Sequence, residues 1–111
     1  MKKDEFMKNI QECEILDNFD QGLLDQAAAM FEKWGLLAHG PGLWAKTDTE
    51  HLFDDFGLND KVGDSDAVKR QKKALRCISS KMMNTQIRKE DAVGIMKNFN
   101  KIGKPGFRWL Q

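Results

Sequence analysis

The sequence predicts an all-α fold, a small single-domain bundle of about five helices. Apolar residues recur at spacings of three and four in each candidate core segment, and no stretch alternates as a half-buried strand would. Breakers such as Gly35, Pro41, Gly57 and Gly103 fall where the periodic segments end. A chain of 111 residues buries roughly two thirds of its unfolded surface, enough for one core without metal or disulfide staples.

The first predicted helix covers about 4–16, with Phe6, Ile10 and Cys13 on one narrow stripe. The second begins after Asp20, a candidate N-cap, and runs through Leu24, Ala27, Phe31 and Trp34 to Gly35. His39-Gly40-Pro41-Gly42 must be a loop, because proline lacks an amide donor and glycine loses much backbone entropy in a helix. Thr47 and Glu50 have capping-box spacing ahead of a short helix that Gly57 closes, with Leu52, Phe53 and Phe56 on its apolar side. Asp64 or Ser65 is placed to cap a long helix over 66–83, whose stripe is Val68, Leu75, Ile78 and Met82. The last helix spans about 88–99 and turns Ile87, Ile95, Phe99 and Ile102 inward. In the tail, Phe107 and Trp109 alternate with cations; folding back over the core is their expected role, with base stacking as the alternative.

The sharpest functional signal is charge placement. Residues 1–66 hold 6 Lys against 15 Asp and Glu, a net of −9, while residues 67–111 hold 12 Lys and Arg against 2, a net of +10. A chain so divided offers a basic surface to phosphate and an acidic surface to something else, and does not resemble an enzyme pocket. On a wheel of about 100° per residue, Lys69, Lys72, Lys73 and Arg76 lie to one side of the Leu75 stripe. Arg70 and Lys81 lie to the other, and Arg88 and Lys89 open the next helix. These eight, with Arg108 of the tail, are the candidate nucleic-acid contacts, made mainly to DNA phosphate. Asp48, Glu50, Asp54, Asp55 and Asp60 are the candidate protein contacts, for a second copy or another protein. The competing reading is that the two halves neutralise each other. If these carboxylates, together with Asp64 and Asp66, pack against the basic helix, both binding surfaces shrink; if they line one exposed face, the acidic-surface reading gains.

Other chemistry is excluded on spacing. Cys13, His39, His51 and Cys77 show no zinc-ligand pairing, and the Asp-rich stretch before Asp66 is out of register for a calcium loop. His51 lies at helical spacing from Asp54 and Asp55, but no nucleophile or phosphate loop accompanies it. No catalysis, metal or cofactor is expected. Cys13 and Cys77 read as reduced thiols, Cys77 packed under another element, since two distant cysteines make no secreted disulfide framework. With no apolar run approaching a membrane span, the expectation is a soluble, cytoplasmic chain with no membrane partner.

Asp25, Glu32, Gly35-Leu36 and Trp44, followed by a cationic helix ending Arg76-Cys77-Ile78, resemble the PerC family of bacterial and prophage transcriptional activators. The resemblance covers about 25–78. It implies transcriptional control in enteric bacteria or their phages, and it assigns no individual binding residue. The combined expectation is a DNA-binding transcriptional regulator with a basic C-terminal half and an acidic N-terminal half for protein contact. The alternative is a phage or mobile-element protein that modulates a partner through an acidic, nucleic-acid-like surface.

Overall fold

The computed structural model describes residues 3–37, 46–84 and 87–102. Among them are five α-helices and no strand: α1 (Lys3–Asn9), α2 (Gln21–Leu37), α3 (Lys46–Asp55), α4 (Asp66–Met83) and α5 (Lys89–Lys97), followed by a 3-10 turn at Phe99–Lys101. The expected loop at 38–43 and the aromatic tail with Arg108 lie outside the described residues.

Every helix expected from the periodicity is present, and α4 has the expected bounds. Its start is fixed by Ser65, whose hydroxyl accepts from the Val68 amide at 3.2 Å. Asp20 caps α2 in the same way, accepting from the Leu23 amide at 3.1 Å. Gly57 ends α3 in the left-handed region, φ 72°. There the Leu58 amide reaches back to the Phe53 carbonyl at 2.8 Å and the Gly57 amide to Asp54 at 3.1 Å. This six-to-one bond enclosing a second bond is the Schellman arrangement that only a residue tolerant of positive φ completes cheaply.

Boundaries differ in four places, one of them the last helix, which ends at Lys97 and is followed by a separate 3-10 turn rather than continuing to Phe99. α1 stops at Asn9 rather than near Leu16, and the chain continues in short turns such as Cys13 N–H to Ile10 O at 2.9 Å. α2 runs two residues past Gly35. α3 begins at Lys46, so Thr47 lies within its first turn rather than ahead of it as the capping box required.

α2 packs mainly against α5 and also against α4. Leu24, Phe31, Trp34, Leu75, Ile78, Ile95 and Phe99 share one buried cluster, as their spacing predicts. Phe99 takes the edges of Phe6 and Phe19, with centroids 6.3 and 5.4 Å away. Asn100 holds the chain entering α2 by accepting from the Phe19 amide and donating to its carbonyl, both at 2.7 Å. The adjacent Asp20 amide donates to Gln71 Oε1 of α4 at 2.7 Å. Side-chain amides thus satisfy a strap that lacks secondary structure of its own.

Among the described residues, no helix is long and apolar enough to cross a membrane.

Candidate nucleic-acid interface

The outer surface of α4 divides into a central line and two flanks. Measured around the helix from Lys69, Lys73 lies about 40° away; Arg76 and Lys72 are displaced to one side, and Cys77, Arg70 and Lys81 to the other. Each flank is covered by an acidic segment.

On the first flank lies the turn between α3 and α4. Lys72 is only 5% exposed. Its ammonium donates to Asp64 Oδ2 at 2.7 Å and to the Asn59 carbonyl at 3.2 Å. Asp64 also accepts from the Lys61 amide at 2.8 Å, and these bonds, the Lys72 contact foremost, hold its carboxyl below the usual aspartate value. Arg76 donates to the Leu58 carbonyl at 2.7 Å and to Asp60 at 3.1 Å. Lys72 is therefore withdrawn from any phosphate surface, which corrects its assignment as a DNA contact. Desolvation explains it: an ammonium is buried here only because a carboxylate and a carbonyl replace its water.

On the second flank lies the segment after α1. Glu14 receives both Nε and Nη2 of Arg70, at 2.8 and 2.6 Å. Glu12 receives Lys81 Nζ at 2.8 Å. Each contact lowers the carboxyl's pKa, and Glu14 in turn raises that of the Arg70 guanidinium. Between these two glutamates Cys13 is joined to Cys77 in a disulfide, Cα–Cα 5.7 Å. The expectation of two reduced thiols is corrected. Sequence separation places no limit on pairing once the segment after α1 lies against α4, and the fold supplies the approach that a disulfide demands.

Lys69 and Lys73 remain exposed on the central line and form no ion pair among the described residues. They line an open groove of about 600 Å³ with Ala74 and Cys77, bounded by Glu14 and Asp60.

The other candidates are scattered. Arg88 pairs with Asp91 at 3.3 Å, and Lys89 is half-buried at the start of α5. Of the acidic set, Asp60 is spent on Arg76 and Asp55 lies 3.7 Å from Lys33. Glu50 and Asp54 are exposed one turn apart on α3 and form no ion pair among the described residues. The side chain of Asp48 lies outside what is described. Asp64 was among the carboxylates expected to pack on the basic helix if the halves neutralise each other, whereas the sequence reading missed Glu12 and Glu14 as partners of α4. Their only local signal was their sign.

Comparison with protein-family models, with curated proteins and with solved structures finds no match.

Proposed function

We propose that the chain is a non-enzymatic regulator that binds DNA through the Lys69–Lys73 line of α4. The observation that supports this is the exposure of two lysines one helical turn apart in a groove, with no carboxylate paired to either among the described residues. Like charges at this spacing repel unless an anion lies across them. The surface is narrower than charge counting suggests, because Lys72, Arg76, Arg70 and Lys81 already have carboxylate partners. Two free phosphate contacts correspond to a log–log salt slope of about −2, rather than the −4 to −5 that about four to six contacts would give.

The resemblance to PerC-type activators points the same way and places such a role in transcriptional control, inside a bacterial cell or an infected one. Phosphate contacts position a protein without reading sequence, so the groove alone supplies affinity and register only.

Fluorescence anisotropy of the chain on a random-sequence duplex across a salt series tests the proposal. The expected result is weak binding with a shallow slope, lost in Lys69→Glu/Lys73→Glu while the helical circular-dichroism spectrum is retained. Binding that survives this double change removes α4 as the surface.

A second reading draws on Glu50 and Asp54. Their exposure on α3 suits a basic protein partner or a second copy of the chain, and the acidic-surface alternative now rests on this pair rather than on Asp55 and Asp60.

A further inference from the structure

The acidic segment 12–14 sits over α4, and one covalent bond fastens it there. Ile10 and Phe19 are fully buried and anchor its two ends. Between them no residue belongs to a helix, Cys13 is the only residue that is buried, and Leu16 is partly so. The remaining attachments are Glu12 to Lys81 and Glu14 to Arg70, whose side chains are 38 to 72% exposed. Exposed pairs of this kind are screened by salt and hold a chain weakly on their own. The geometry assigns the fastening to the disulfide.

We propose that the Cys13–Cys77 disulfide is a reducible latch: it holds Glu12 and Glu14 over Lys81 and Arg70, and its reduction by a dithiol uncovers those two cations for phosphate. The second half rests on reading the α4 groove as the DNA surface. Cys77 is half-buried and lines that groove, so a reductant has a route to the bond. Lys73 lies one turn before Cys77 on the wall of the same groove. The exchange balances without any further reactant. A thiolate of the dithiol attacks one protein sulfur and releases the other as a thiolate that takes up a proton; the second thiol then closes the reductant's own disulfide and frees the first protein sulfur. Two electrons and two protons pass to the protein, leaving two thiols.

Reduction then acts through charge. Arg70 and Lys81 lie on the same side of the Lys69–Lys73 line. Freed from their glutamates, they extend the phosphate surface from two cations to four. In a reducing compartment a disulfide is characteristically transient and regulatory, which suits a DNA-binding chain carrying one.

The test compares the full oxidised chain with the chain reduced by dithiothreitol. Amide exchange is followed by mass spectrometry at 11–18 and at 74–79, and duplex binding by anisotropy across a salt series. Reduction is expected to speed exchange at 11–18, leave 74–79 protected, and steepen the salt slope from about −2 to about −4. The oxidised Glu12→Gln/Glu14→Gln variant, altered only at exposed positions, is expected to show the steeper slope without reductant. Unchanged exchange at 11–18 on reduction overturns the latch, whatever the DNA result. Loss of protection at 74–79 as well overturns it by showing a staple for the whole fold. Release of 11–18 with no duplex binding by any form supports the movement and overturns the DNA surface.

Discussion

Glu14 and Arg70, 56 residues apart, meet through two side-by-side hydrogen bonds, with the guanidinium fork matching both carboxylate oxygens. This geometry is the most directional that an ion pair offers. It joins the acidic half of the chain to the basic half at one point. Replacing Arg70 by Lys keeps the charge and loses the fork. Arg70→Lys is therefore expected to leave the thermal midpoint nearly unchanged and to make exchange at 11–18 in the oxidised chain more sensitive to salt, which mass spectrometry at two ionic strengths would show. Equal salt sensitivity would mean that the paired bonds add nothing to simple attraction.

Acid is expected to weaken the fold through three carboxylates. Glu12, Glu14 and Asp64 have their pKa values lowered by hydrogen bonds from Lys81, Arg70 and Lys72 respectively. A group whose folded pKa is depressed contributes stability that is present above its unfolded value and lost as pH falls through the folded one. The ordinary values are 4.5 for the glutamates and 3.8 for the aspartate. Urea midpoints should thus be level near neutrality and decline from about pH 4.5 downward. Glu12→Gln/Glu14→Gln should decline less steeply, and an identical decline would remove both glutamates from the explanation.

The core is expected to respond as a packed one. Phe31 and Leu75 are completely buried in the same cluster. Either residue changed to Ala should cost about 2–5 kcal/mol, read from urea unfolding monitored by circular dichroism. A loss under about 1 kcal/mol would place that side chain at a site able to collapse around the deletion.

Which features the sequence foretold follows from the range of the interaction behind each. Asp20, Ser65 and Gly57 are legible because caps and left-handed turns are set by residues within one turn of each other. The α4 stripe is legible for the same reason. The end of α1 was not, since nothing between Ile10 and Leu16 breaks a helix. The chain leaves helical geometry after Asn9 and continues in three-residue turns that carry Cys13 to Cys77, 64 residues away. Charge segregation correctly raised the prospect of mutual neutralisation. It could not say which carboxylate meets which cation, because pairs such as Lys81 with Glu12 are fixed only once the segment after α1 lies against α4. Wheel position failed for Lys72 because the turn at 58–64 folds over that side of the helix.

Lys72 and Lys73 are neighbours in sequence and opposites in role, so changing each to Glu separates stability from binding. Lys72 is buried against Asp64, and a glutamate there would place two carboxylates together with little water. Breaking the pair in this way is expected to lower the urea midpoint, because Asp64 loses its partner and a second charge of the same sign is added beside it. Lys73 is exposed and unpaired among the described residues, so Lys73→Glu should leave the urea midpoint nearly unchanged. Its effect should appear in duplex binding, which loses a phosphate contact and gains a repulsion, flattening the salt slope by about one or more. Two measurements on two variants thus yield a crossed pattern, with Lys72→Glu destabilised and Lys73→Glu stable but weaker in duplex binding. If Lys73→Glu binds as well as the parent chain, the exposed line of α4 is a solvated face and the function lies with Glu50 and Asp54.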